Sequence, residues 1–366
     1  MTDRTQEVQA LLDKGGEVFV PGGEYGISKT LKIGDHTTLR LAPDAHLFLM
    51  DGAKCVMLEN EGLHERRRNR DITVTGGIWD GNNAHQSRDE FPRFYDLLYM
   101  GIVLRFVGVD DLTVSSLTIK DPEAYSLQIT DVCRFTVEHI TFDHNLLRSN
   151  MDGVHVQGPA RFGYIRDIRG ATNDDLVALN CDDGRDCEIT RGDIEDILID
   201  GLYAECGYTA VRLLSCGSTL RNVHVTNIFG TYRFYAVSFT HHRIHPGEPI
   251  LLENVTVDHV YASKPTRFPP EETTFFYPPS HAWWADREPL IWFAPGVFAR
   301  NVRVTDVSRL EESVTHAVTV KVDEGAVVDG LILRDIRQRF TACDPMPTVE
   351  ILGTVKNLVS ENVQEI

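Results

Sequence analysis

The sequence is poor in features that mark several large protein classes. Positive charge is scarce: Lys and Arg number 36 against 54 Asp and Glu, a formal net charge of −18. Phosphate backbones and anionic membrane surfaces both repel such a chain, so no nucleic-acid or membrane partner is expected. No apolar run is long enough to span a bilayer, and the opening MTDRTQEVQALLDKGG holds no apolar stretch of a secretion signal. A cytoplasmic location is expected, although a chain whose leader had been removed would read the same way. The seven cysteines form no C-x-x-C pair, which removes the usual zinc and redox motifs. An odd number of them suits a reducing compartment. Helical periodicity is scarce too: one short stretch, Gln6–Leu12 (QEVQALL), ends at Gly15-Gly16.

What the chain has instead is short β-rich runs broken by Gly, Pro, Asp and Asn, among them VFVPGGEY, TTLRLAPDAHLFLMDG and DITVTGGIWDGNN. From Leu104 these become periodic. LRFVGVDDLTVSSLTIKD from Leu104, LQITDVCRFTVEHITFDH from Leu127 and VRLLSCGSTLRNVHVTNI from Val211 share one plan: strand, turn, strand, bend, short strand. The plan returns from Val237, Ile291, Val318 and Val349. The shortest offsets, Leu104 to Leu127 and Val154 to Val177, are 23 residues. That is one lap of a parallel β-helix, in which each lap buries its inward face only against its neighbours. A leucine-rich repeat would need its own consensus and a helical side. Separate β-sandwiches would not give one unit over most of the chain. The expected architecture is therefore all-β: one right-handed parallel β-helix domain over residues 1–366. Residues 1–16 form a helical N-terminal cap that hides exposed strand edges.

Three insertions interrupt the laps. Residues 59–70 are basic in their second half, and residues 82–100 are aromatic. Residues 262–289 carry Phe268, Phe275, Phe276, Tyr277, Trp283 and Trp284. Flat aromatic faces suit flat sugar faces, which makes Trp283 and Trp284 candidate substrate contacts. Packing on the solenoid, or an oligomer contact through this loop, accounts for them equally.

The most informative stretch is Asn150–Asp183. It holds two short apolar strands, Gly153–Val156 and Leu176–Leu179, each preceded by acid: Asp152 before the first, Asp174 and Asp175 before the second. If one lap separates them, the strands stack and three carboxylates meet on one surface. Acid/base chemistry on a glycosidic bond needs such a cluster. Adjacent carboxylates near a third cannot all ionise cheaply, so one can hold a proton for a leaving oxygen. Two plainer readings stay open: Asp152 could cap a turn, and Asn173-Asp174-Asp175 could hold calcium. His155 alternates with Val154 and Val156, so it faces away from the core and is a candidate substrate contact. Arg212, His241 and His242 stand in nearby laps as further candidates.

GGIWDGNN, LRFVGVDDLTVSSLTIKD, NMDGVHV and TNDDLVALN resemble the polygalacturonase-type glycoside hydrolases of family 28, and the resemblance covers roughly Gly76–Asn254. Those are right-handed parallel β-helices of the pectin-lyase-like type. Their signatures are N-T-D, G-D-D one lap later, then G-H-G and R-I-K. The resemblance implies an inverting glycosidase without a metal or other cofactor. It makes Asp174 the general acid, with Asp152 and Asp175 activating water. Carboxyls that flank a water for inversion stand roughly 6.5–9.5 Å apart. The chain departs from the pattern where G-H-G should fall, at Gly207-Tyr208-Thr209, and where R-I-K should fall, near Ala236–Thr240. In the family those cations hold a galacturonate carboxylate. The expected substrate is therefore an oligosaccharide or polysaccharide other than plain polygalacturonate. Two rivals remain: a calcium-assisted polysaccharide lyase, and a non-catalytic carbohydrate-binding β-helix.

Overall fold

The computed structural model describes residues 2–89, 98–182, 189–241, 250–268 and 286–365. Each lap lays its strands in parallel register on those of the next. One inward ladder shows the principle: Leu104, Leu127, Val154, Val177, Val211 and Val237 succeed one another in register, all fully buried. Alternation sends every second side chain of a strand inward. Leu, Ile and Val at those positions stack from lap to lap into one apolar interior running the length of the molecule. The fold is the parallel β-helix expected from the repeat. One register differs: Ile291 pairs with Val320, not with Val318. A shift of two keeps every side chain on its expected face, so the in/out pattern survives it.

The longest strands are bent within themselves. In Leu127–Asp143, Arg134 (φ 57°) and His139 (φ 55°) are left-handed corners, and Asn222 and Asn227 do the same in Thr219–Tyr232. Asn and Asp adopt this conformation most readily after Gly, because their short polar side chains bond locally. Here they bond along the stack. The Asn254 amide donates to Asn222 and the Asn301 amide to Asn254, both at 3.1 Å.

The helix Thr5–Leu12 closes the N-terminal end. Val8 and Leu12 drop into the core. Gln9 replaces a missing neighbouring strand: its Nε2 donates to the Lys32 carbonyl (3.1 Å) and its Oε1 accepts from the Lys32 N–H (2.8 Å). That satisfies a strand edge that would otherwise pair with another chain. Among the described residues, no helix is long and apolar enough to cross a membrane.

Candidate active site

The strands Val154–Arg169 and Asp175–Asn180 lie on successive laps, with Val154 opposite Val177. Gly153 lets them approach: its N–H donates to the Asp175 carbonyl at 2.9 Å, and a Cβ there would stand 2.4 Å from the Leu176 carbonyl oxygen. The turn before Asp174 is fixed by Asn173. Its Nδ2 donates to the Arg148 carbonyl (2.8 Å) and its Oδ1 accepts from Arg233 (3.0 Å). The Thr172 hydroxyl closes the turn onto the Asp174 carbonyl at 2.6 Å. The outcome is convergence: one carboxylate oxygen from each of Asp152, Asp174 and Asp175 lies within 4.8 Å of the other two.

Each acid has a different neighbour. Asp152 Oδ2 meets His155 Nδ1 at 2.5 Å. Asp175 Oδ2 meets Arg212 Nε at 2.8 Å, and the Thr209 hydroxyl also bonds this carboxylate. Asp174 Oδ2 accepts from Asn150 at 3.3 Å. Burial pushes both Asp174 and Asp175 above the usual carboxylate range, and Arg212 pulls both back. Asp175 is pushed further, by the charges of Asp174 and Asp152. A proton held here belongs to the pair, not to one residue. The ion pair with Arg212 favours an ionised Asp175, and Asp174 is the partly exposed member, within reach of a substrate. Three carboxylates this close could also hold a hard cation. Arg212 already supplies positive charge on the Asp175 side.

The other expected site residues fare unevenly. Arg212 joins the site with about 24% of its side chain exposed. His155 joins it but does not face the solvent. It is buried beneath Tyr125, with ring centroids 3.9 Å apart and planes 10° apart. Alternation predicted its outward direction correctly, and a neighbouring ring covers it. Its contact is with Asp152, which it orients. His241 is not brought to the acids. It follows the far end of the strand Val237–Thr240, on the order of 20 Å from the acid end at strand spacing, and its Nε2 donates to the Pro295 carbonyl at 2.7 Å. His242, Trp283 and Trp284 lie outside the described residues.

Sequence reading missed four residues of this surface: Tyr125, Thr209, Tyr235 and Trp292. Thr209 stands in register with Asp175. Trp292 stands in register with Ser238, which stands in register with Arg212. The Trp292 ring stacks on Tyr235 at 4.9 Å, and its Nε1 donates to Asp323 at 3.1 Å. The Tyr235 hydroxyl donates to Glu288 at 2.6 Å. Trp292 sits between inward Ile291 and Phe293, so the alternation that flagged His155 would have flagged it too.

The class defined by this fold and cluster is a parallel β-helix with an acidic site on one sheet. No protein-family model matches the chain, and no curated protein sequence does. Similarity appears among solved structures. The surface adhesin PfbA of Streptococcus pneumoniae is 13% identical, with a TM-score of 0.58 over 99% of this chain and 90% of its own. The family 28 exopolygalacturonase of Yersinia enterocolitica is 12% identical, with a TM-score of 0.56 over 98% and 75%. The A-module of the mannuronan C-5 epimerase AlgE6 of Azotobacter vinelandii is 13% identical, with a TM-score of 0.55 over 97% and 96%. At such identities the likeness shows the fold, a pectin-lyase-like β-helix.

Proposed function

We propose that the chain is a glycoside hydrolase acting on a neutral or modified sugar. The observation that carries this reading is the convergence of Asp152, Asp174 and Asp175 within 4.8 Å beside Arg212. In the proposed step the bond between the anomeric carbon and the leaving oxygen breaks. That oxygen takes the Asp174 proton. Water held by Asp152 and Asp175 adds its hydroxyl to the anomeric carbon and leaves its proton on one of them. Desolvation keeps the pair protonated at a pH where a free carboxyl would not be, as a general acid requires. His155 holds Asp152 in place as a positioning residue. Plain polygalacturonate is not the proposed substrate, because Tyr208 and the buried run Ala236–Phe239 stand where the family's cations would.

Inversion is the proposed stereochemistry, on the resemblance of the three acids. Retention is the other outcome that the product would reveal. Carboxyls about 5–5.5 Å apart suit a covalent, retaining displacement. Proton NMR of the product within the first minutes separates the two by its anomer. The test of the main reading is a hydrolysis screen over α- and β-linked neutral oligosaccharides, with Asp174→Asn as control. Turnover that the variant loses supports it. Unsaturated products absorbing in the ultraviolet, abolished by EDTA, would replace it with a lyase. Binding without turnover, unchanged in Asp174→Asn, would replace it with a carbohydrate-binding β-helix.

A further inference from the structure

The sheet that carries the acids differs on its two sides. One outward-facing ladder runs through it. Before and at the acids it comprises Glu59, Arg105, Gln128 and His155, each in register with the next and none more than 3% exposed. Beyond the acids it continues through Ala178 to Arg212, Ser238, Trp292, Lys321 and Glu350. Ser238 is covered, but Arg212 and Lys321 keep 24% of their side-chain area exposed and Glu350 keeps 40%.

The covered side is built as an end. Tyr125 stands three residues before Gln128, as Asp152 stands before His155, so it occupies the acid position one lap earlier. Ile102 occupies it one lap before that. Both belong to an apolar cluster with Val56, Met100 and Ala124. Where the acids would continue the surface, the chain has therefore placed a hydrophobic plug. Polar contacts fasten the covering segment down. Arg88 Nη2 donates to the Ser149 hydroxyl at 2.6 Å and Nη1 to Asn150 Oδ1 at 3.4 Å. Asn150 in turn reaches Asp174. Arg148 ties the same wall to the Asn83 carbonyl (2.8 Å) and to Glu123 (3.0 Å). An enzyme that cuts within a glycan needs room for sugars on both sides of its acids. Here one side is filled up to the residue that touches Asp174.

We infer that the site accepts one chain end: a terminal sugar sits against the Arg88–Asn150 wall, the rest lies over Arg212, Trp292 and Lys321, and cleavage is exo. This rests on the hydrolase reading above. The experiment uses hexasaccharides of galactose, glucose, mannose, xylose and arabinose, each carrying a fluorophore at the reducing end. Labelled products are resolved by capillary electrophoresis at early conversion. A single first product is expected: the labelled five-sugar chain if the non-reducing end enters, or the labelled monosaccharide if the reducing end enters. Labelled two-, three- and four-sugar chains appearing together from the start would overturn exo action and leave the hydrolase reading standing. If no hexasaccharide is cut, the hydrolase reading falls and takes this inference with it.

Discussion

At the scale of single residues, Arg212 sets the charge balance of the site. It is the largest influence holding the Asp175 carboxyl down against burial and against Asp174 and Asp152. Removing it must raise that carboxyl further, since the opposing terms remain. If ionised Asp175 helps to activate water, activity in Arg212→Met should fall off at a higher pH on the acid side than in the wild type. Arg212→Lys, which keeps the charge, should move the limb less. A pH profile of kcat/KM decides it, and an unmoved acid limb would separate Arg212 from the ionisation of Asp175. Asp174 has a different signature. As proton donor it should be worth roughly 10²–10⁴-fold in kcat. The loss in Asp174→Asn should shrink on substrates whose leaving group needs little protonation, and in Asp152→Asn it should not. Equal losses on good and poor leaving groups would deny Asp174 the acid role. The three acids were legible because Asp152 and Asp175 precede apolar runs at the same place in successive laps, with Asp174 beside Asp175. The covering of His155 was not legible, because Tyr125 reaches it from the lap before.

At the scale of elements, alternation survives errors of registration, which is why the strands were legible. Reading Val318 for Val320 misplaced a pairing without turning any side chain to the wrong face. The corners were legible as a turn and a bend in each lap, but not the residues that make them, since Arg134 and His139 carry no turn signal of their own. Nor was the buried knot after the strand Leu251–Ser263. There the Lys264 ammonium donates to the Phe234 carbonyl, and its backbone N–H donates to Glu311 (3.2 Å), which also accepts from Arg309 (2.8 Å). Burial pulls Lys264 down to about 7; Arg309 adds to this, while Glu288, Glu311 and Asp286 oppose it. An unfolded Lys holds its proton to about pH 10.4. Between those two values the unfolded chain binds a proton that the folded chain does not, so this group makes stability rise with pH across that window. Urea midpoints at pH 7, 8, 9 and 10 should therefore climb less steeply in Lys264→Met than in the wild type. Parallel curves would mean that Lys264 does not titrate there.

At the scale of the molecule, the laps form a line. The closed end of the site was beyond sequence reading, because the residues that build it, Val56, Arg88, Ile102 and Tyr125 among them, come together from places far apart in the chain. The two ends of the line also differ. The helix covers the first laps, whereas the strand Thr354–Glu365 is exposed along most of its length in this structure, Leu358 and Val359 included. It pairs in register with Val327–Phe340 on one side. In such a stack each lap is stabilised chiefly by its neighbours, so opening should begin where a lap has the fewest of them. Amides of Thr354–Glu365 should exchange with deuterium before those of Val154–Arg169. A core truncation should spread only locally. Leu331, fully buried near that end, should cost about 2–5 kcal/mol as Leu331→Ala. The variant should exchange faster from Val327 onward, with the laps around Asp152 and Asp175 protected as before and kcat unchanged. Val177→Ala, in the core two residues beyond Asp175, should instead loosen those laps and lower kcat. Hydrogen exchange read by mass spectrometry on both variants tests the point. Equal acceleration along the whole chain in Leu331→Ala would show that the solenoid opens as one unit, and that the site depends on laps it never touches.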